Sequence, residues 1–401
     1  MTHMTMQGHR LDRLKRFVPD FVFRGAVLGV VCIALAACNG GGGGSSSGVA
    51  TTGVVSFSNG QAADVVIGQP DFTSSSFATL GSVHGNPDVI GGVLYLPDYG
   101  HSRVLGFNSI PTSNGAPADF VLGAPDFSTS GTLSGATSVT DYDGRLYVPE
   151  LTNNEVAVYD PIPTAATSAP NAASPQTPSF TLTAGTVGGF NVPAFSVAGG
   201  GKFVVPDAHN HRALIWNSVP TADTPPDLVL GQVDFTGAST NQGGSPDAQT
   251  MSNPYGVWTD GQRLVVADTY NHRVLIWNTF PITNDQAADL VLGQADFTSN
   301  TADRGGSTAA NTLDRPYAVW VDGQQLFVAD TNNSRVLIWN AWPTSNGQAA
   351  DAVLGQPDFT SSSSGTTASS MWSPSGLYLY GNQLFVTDTN NNRYLVFNGT
   401  Y

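Results

Sequence analysis

Cysteine, lysine and helix-forming patterns are scarce in this sequence. There are 2 cysteines, Cys32 and Cys38, and Lys202 is the single lysine of residues 38–401. Beyond residue 37 no long segment shows the 3.6-residue apolar period of a helix, and 45 glycines and 25 prolines interrupt the chain. These shortages exclude a helical bundle and a disulfide-held fold, and a domain of this length buries enough apolar surface without crosslinks.

Positive charge is also scarce. The chain carries 15 Lys and Arg against 30 Asp and Glu, and residues 38–401 carry 10 against 28, a net charge of −18. Such a surface repels phosphate backbones, so we expect no nucleic-acid partner. We interpret the negative charge as a means of keeping an exported domain soluble. The alternative interpretation is that the charge captures cations.

What the chain does have is an internal repeat. Six times an apolar run ends in an acidic residue, a polar turn follows, and a second apolar run begins. The acidic residues recur every 52 to 62 residues, at Asp98, Glu150, Asp207, Asp268, Asp330 and Asp388. An Ala-Asp-apolar-Leu-Gly segment precedes most copies, so each repeat offers four short strands.

Some of these strands are apolar on both faces, as in Val274–Trp277 and Val336–Trp339. A strand of this kind must be covered on both sides, as happens when four-stranded blades stack around an axis. The sequence therefore predicts an all-β fold, a six-bladed β-propeller. We expect the N-terminal segment Asp64–Gly68 to pair with Tyr394–Phe397, which would complete the last blade and close the ring.

The turns carry a family resemblance. The best copy reads Asp268-Thr-Tyr-Asn-His-Arg273, and this acidic-Thr-x-Asn-His-Arg pattern resembles the signature of NHL-repeat propellers. The resemblance covers residues 56–401 and implies the propeller fold. It implies little about activity, since propellers of this type include lyases, RNA-binding modules and protein-interaction platforms.

The N-terminus predicts export and lipid attachment. Residues 1–37 combine a basic segment with a short apolar stretch and end before Leu35-Ala36-Ala37-Cys38, which resembles the lipobox of bacterial lipoproteins. We expect residues 1–37 to be a lipoprotein signal peptide, Cys38 to carry lipid, and residues 38–55 to form a Gly/Ser-rich tether. Because Asn39 stands where many inner-membrane lipoproteins have Asp, the expected location is the outer membrane, facing the periplasm or the cell surface.

Features common to every repeat are expected to serve the fold. The Asp, Asn and Arg of each turn, such as Asp330, Asn333 and Arg335, are predicted to form a hydrogen-bonded pin. Departures from the repeat are more informative about a functional site. The second repeat has Glu150 in place of the Asp and Glu155 in place of the Arg, and these are the only glutamates in the sequence.

Histidines supply an alternative site. Asp207, His209 and His211 lie together in the third repeat, and His272 matches His211 in the fourth. His beside Asp can bind zinc or act as an acid and base, and an acidic chain can also hold calcium. Because lyases of the resembled family use histidines and a metal in the central channel, the resemblance implies as the alternative function a metal-dependent lyase or hydrolase with its site at the channel mouth.

The predicted binding surface is the looped face, defined as the face that carries the acidic turns and the long connections between repeats. Two of these connections contain matched glycine pairs, and loops on a rigid ring commonly bind partners. No Gly-x-Ser-x-Gly elbow, phosphate-binding glycine loop or His-Glu-x-x-His pair is present. We therefore expect a non-catalytic, cofactor-free, monomeric scaffold that binds an envelope protein, peptide or glycan, with candidate residues Glu150, Gly243, Gly244, Arg304, Gly305 and Gly306.

Overall fold

A computed structural model describes residues 53–164, 177–184 and 188–401, and within these ranges the chain forms 24 short strands. Blade 1 contains β2 Asp88–Ile90, β3 Val93–Asp98, β4 Arg103–Phe107 and β5 Phe120–Leu122. Blade 2 contains β6 Thr140–Tyr142, β7 Arg145–Glu150, β8 Glu155–Tyr159 and β9 Phe180–Leu182. Blade 3 contains β10 Val197–Gly199, β11 Lys202–Asp207, β12 Arg212–Trp216 and β13 Leu228–Leu230. Blade 4 contains β14 Pro254–Thr259, β15 Leu264–Asp268, β16 Arg273–Trp277 and β17 Leu290–Leu292. Blade 5 contains β18 Pro316–Asp322, β19 Gln325–Asp330, β20 Arg335–Trp339 and β21 Ala352–Leu354. Blade 6 contains β22 Pro374–Tyr380, β23 Gln383–Asp388, β24 Arg393–Asn398 and β1 Val65–Ile67.

Each blade is an antiparallel four-stranded sheet, and the six blades form a propeller. In blades 1 to 5 the strands follow chain order from the innermost outward. Blade 6 has the order β22, β23, β24, β1, with Val65 opposite Val396 and Ile67 opposite Tyr394. The predicted fold and the predicted closure by the N-terminal strand are both confirmed.

The core lies between neighbouring blades. Along β16, Val274 and Ile276 pack in the layer shared with blade 5, whereas Leu275 and Trp277 pack in the layer shared with blade 3. Side chains of a strand alternate between its two faces, so a blade covered on both sides needs consecutive apolar residues. This is the physical reason for the unbroken apolar runs in the sequence.

The connections divide between the two ends of the propeller. The turns between the second and third strands of a blade lie on the looped face, together with the connections from the fourth strand to the next blade. Seven 3-10 turns occur among the described residues, all on this face: Tyr99–His101, Ala208–Asn210, Thr240–Gly243, Thr269–Asn271, Ala302–Gly305, Thr331–Asn333 and Thr389–Asn391. Turns between the first and second strands lie on the opposite face.

The predicted signal peptide, Cys38 and residues 39–52 lie outside the described residues. Within the part that is described, no helix is long and apolar enough to cross a membrane.

Candidate functional site

The acidic turns of the looped face are bonded as structural pins. In blade 5 the Asp330 Oδ2 atom accepts a hydrogen bond of 2.7 Å from Arg335 Nε and one of 2.9 Å from Asn333 Nδ2. The other oxygen, Oδ1, accepts the backbone N–H of Asp314 at 2.7 Å. Arg335 in turn donates to the carbonyl of Phe359 at 2.6 Å. The pin therefore ties the turn to the loops on either side of the blade.

Five blades share the Asp–Arg pair, and four of them also share the bond from Asn, whereas in blade 1 His101 Nδ1 lies 3.0 Å from the Asp98 carboxylate. The Arg Nε to Asp Oδ2 distance is 2.7 Å in each, in the pairs Asp98–Arg103, Asp207–Arg212, Asp268–Arg273, Asp330–Arg335 and Asp388–Arg393. Thr331 adds a link between blades, since its hydroxyl donates to the Pro374 carbonyl of the next inner strand at 2.6 Å. The predicted structural role of these residues is confirmed in these five blades.

Blade 2 keeps only part of the pin. Glu150 accepts a hydrogen bond from the backbone N–H of Ser134 at 2.9 Å and one from Asn153 Nδ2 at 2.7 Å. Glu155 stands opposite it across the strand pair, where the other blades have Arg. Burial raises the pKa of Glu150 to about 7, and the charge of Glu155 adds to the effect. Glu150 is only 2% exposed, so it does not present its carboxylate on the surface of the looped face.

The histidines hold loops of the next blade. His211 Nδ1 lies 3.1 Å from the backbone nitrogen of Asn253, which donates to it. His272 Nδ1 lies 3.2 Å from the backbone nitrogen of Arg315 and 2.9 Å from a carboxylate oxygen of Asp314. Asp207 is committed to the pin of its own blade. Within the described ranges no group of three or more His, Cys, Asp or Glu residues is arranged to hold a metal.

The glycine pairs lie in two loops of matching conformation. Gly243 and Gly305 have φ values of +81° and +73°, a region that favours glycine. Gly244 and Gly306, at φ −116° and −119°, do not require glycine for their backbone conformation. Arg304 donates hydrogen bonds to the carbonyls of Gly293, Gln294 and Gly347, and so fastens its loop to the blades.

Exposed aromatic side chains are concentrated on this same face. Phe77 is 52% exposed, Trp372 47% and Tyr270 38%, and all three belong to its turns and connections. At the mouth of the channel, Tyr255 and Tyr317 stack with ring centroids 4.6 Å apart. The guanidinium of Arg315 lies 4.5 Å from the centre of the Tyr270 ring. Rigid aromatic rings with a polar atom are common anchors at binding surfaces.

These aromatic residues were not among the sites predicted from the sequence. A departure from the repeat could have identified one of them, because Trp372 stands where the two preceding blades have Ser252 and Asp314. All three backbone N–H groups donate to the pin carboxylate of their own blade. The Trp372 side chain takes no part in that bond, so the pin does not require tryptophan at this position.

Comparisons with known proteins extend only to the fold. No family model matches the chain, and no curated protein matches it. Among solved structures, the chain is similar to one described as a streptogramin B lyase, with TM-score 0.40 and 10% identity over 80% of each chain. It is also similar to virginiamycin B lyase from Staphylococcus aureus, with TM-score 0.42 and 12% identity over 79% of this chain and 95% of that one.

Proposed function

We propose that this protein is a non-catalytic binding scaffold of the NHL type that uses its looped face to hold a peptide, protein or glycan of the bacterial envelope. The observation that carries the proposal is the set of exposed aromatic side chains on that face, Phe77, Tyr270 and Trp372. Exposed aromatic side chains are enriched among the residues that contribute most to binding at interfaces.

The pins give this surface rigidity. Arg273 and Arg393 are fully buried. Arg273 closes the turn that carries Tyr270 through its bond to Asp268, and Arg393 donates to the carbonyls of Ser370 and Phe72, in the loops that carry Trp372 and Phe77. A preorganised surface loses less conformational entropy when it binds, so more of the contact energy contributes to affinity. Pinned loops with exposed rings therefore suit binding better than a chemistry that needs mobile charged groups.

The face offers rings for stacking, and the guanidinium of Arg315 is held against the ring of Tyr270. Sugar rings and peptide side chains both pack on aromatic faces, whereas the net charge of −15 for the full chain disfavours a nucleic-acid partner. We further propose that lipid on Cys38 holds this monomeric propeller at the outer membrane.

The experiment compares three variants with the wild type. Tyr270→Ala together with Trp372→Ala removes two rings, and Gly244→Ala together with Gly306→Ala changes the loops at positions whose φ values tolerate a side chain. Ile282→Ala, at a residue 80% exposed outside the looped face, is the matched control. Immobilised proteins are incubated with envelope extracts and with a glycan array, and retained molecules are quantified.

We expect the aromatic variant to lose its partners by about tenfold or more, as for the loss of a binding hot spot. The loop variant should lose them partially, and Ile282→Ala should behave as the wild type. All variants should melt close to the wild type, because exposed substitutions cost little stability. Equal recovery of the same partners by the wild type and both looped-face variants would refute the proposed binding face.

A further inference from the structure

The opposite end of the channel contains a concave site that the proposed function does not use. A cavity of about 600 Å³ opens there among the innermost strands and first turns of all six blades. Its lining includes Asp88, Asp141, Ser196, Trp320 and Tyr378. A volume of this size falls in the range of small-ligand sites.

Two carboxylates meet in this lining. The backbone N–H of Asp141 lies 3.2 Å from Asp88 Oδ2, and both residues are buried. Burial, followed by the charge of Asp141, raises the pKa of Asp88 to about 7. Tyr378 and Tyr95 are the other titratable groups beside it, and neither is cationic at neutral pH. The negative charge of Asp88 is therefore poorly compensated by its surroundings.

The arginine that lines the cavity is already committed elsewhere. Arg263 Nη2 lies 2.8 Å from Asp260 Oδ2. Its guanidinium carbon lies 4.3 Å from the centre of the Trp342 ring and 5.3 Å from that of Trp258. Because this group is paired with Asp260 and stacked between two rings, it does not neutralise Asp88.

The wall beside the carboxylates is aromatic and has unused hydrogen-bonding groups. The ring centroids of Trp320 and Tyr378 lie 4.8 Å apart. Trp320 Nε1, Tyr378 OH and Ser196 Oγ are buried without a hydrogen-bond partner of standard geometry among the described residues. The Tyr378 hydroxyl lies beside Asp88 and lowers the pKa of that carboxyl, against the larger effects of burial and of Asp141. Ser196 is 4% exposed and Tyr378 is 2% exposed, so bulk water does not satisfy them.

We propose that this cavity binds a small organic ammonium ion that also carries an oxygen atom. The ammonium group is attracted to the Asp88 carboxylate and to the faces of the surrounding rings. The oxygen accepts a hydrogen bond from Trp320 Nε1 or from the Ser196 hydroxyl. The strong negative charge of the whole chain raises the local concentration of cations around the site. This proposal is independent of the looped face, which lies at the other end of the channel.

The test uses two probes of nearly the same shape. Choline has a quaternary ammonium group and a hydroxyl, and 3,3-dimethylbutan-1-ol replaces the charged nitrogen with carbon. Binding of each to the full propeller is measured by calorimetry and by tryptophan fluorescence at constant ionic strength. We expect choline to bind about tenfold more tightly than the neutral alcohol near pH 8, because the alcohol lacks the positive charge that the Asp88 carboxylate attracts.

The pH dependence reports on the carboxylate. With a pKa near 7, Asp88 is mostly ionised near pH 8 and mostly protonated near pH 6, so the affinity for choline should fall about tenfold between them. Asp88→Asn should abolish both the preference for choline and its pH dependence. The variant should still fold, because it removes a poorly compensated buried charge and keeps an acceptor for the Asp141 N–H. Asp126→Asn, a substitution of equal charge change at a half-buried residue on the looped face, should alter neither.

Three results would overturn the proposal. The first is equal affinity for the two probes, and the second is the absence of saturable binding of choline. The third is saturable binding of glucose with no dependence on pH, which would assign the cavity to neutral polyols. Loss of partners by the looped-face variants would not affect any of these measurements, so the two proposals fail separately.

Discussion

The pin of blade 5 permits a quantitative prediction of stability. Arg335→Met keeps much of the side-chain volume but removes the guanidinium, which bonds to Asp330, Phe359, Ala309 and Thr312. Both side chains of the ion pair are fully buried. Removing one partner of a buried pair leaves the other charge uncompensated, so we expect a loss of about 3–5 kcal/mol in the free energy of unfolding.

A double-mutant cycle separates the charge effect from lost packing. Asp330→Asn together with Arg335→Met removes both charges, and we expect it to cost less than Arg335→Met alone, because no uncompensated charge remains. Arg145→Met is the control. Arg145 Nε lies 2.8 Å from Asp160, but the two side chains are 21% and 45% exposed. Loss of such a surface pair should cost less than about 1 kcal/mol.

Urea unfolding followed by tryptophan fluorescence and circular dichroism measures these differences. A cost for Arg335→Met as small as that for Arg145→Met would refute the structural role of the pin. So would a double variant that is less stable than Arg335→Met, since the penalty would then not arise from an uncompensated Asp330.

Three further outcomes are expected. Deleting residues 56–70 should open the ring and cause aggregation, because it removes β1 from blade 6. Deleting residues 39–52 should leave the melting temperature unchanged. If the two truncated proteins behave equally in light scattering, the closure of the ring by β1 is contradicted. Cys38→Ser should block fatty-acid labelling in cells and leave the unprocessed precursor, and label on both proteins, or on neither, would refute lipidation. In the native state Glu150 binds its proton more tightly than in the unfolded chain, so the free energy of unfolding should fall as pH rises from about 4.5 to about 7. Glu155→Arg should reduce this fall. Thermal melts across that pH range measure the difference.

The repeat could be interpreted from sequence because every blade must solve the same packing problem. The runs around Val274 and Val336 indicated strands covered on both faces, and the Asp–Arg spacing indicated the pins. The pairing of Val65–Ile67 with β24 followed from the order of the segments. These features depend on local patterns and on the need to leave no open sheet edge.

The candidate sites were less accessible to such reasoning. The positions of Gly243 and Gly305 on the looped face follow from strand order, but the engagement of Arg304 with three carbonyls depends on how its loop folds back. Glu150 was conspicuous as a departure from the repeat, yet its burial beside Ser134 and Asn153 is a property of packing. A sequence shows which residue differs from its repeat and does not show which way its side chain points.

The sequence by itself determined the number of blades, the closing strand and the pins, because short-range patterns and a fixed repeat length specify them. Only the tertiary structure decided which residues meet in the channel. Asp88, Asp141, Trp320 and Tyr378 come from four different repeats and are ordinary inner-strand residues in the linear order. Closure of the ring brings those strands around one axis, and a carboxylate pair beside an aromatic wall exists only after that closure.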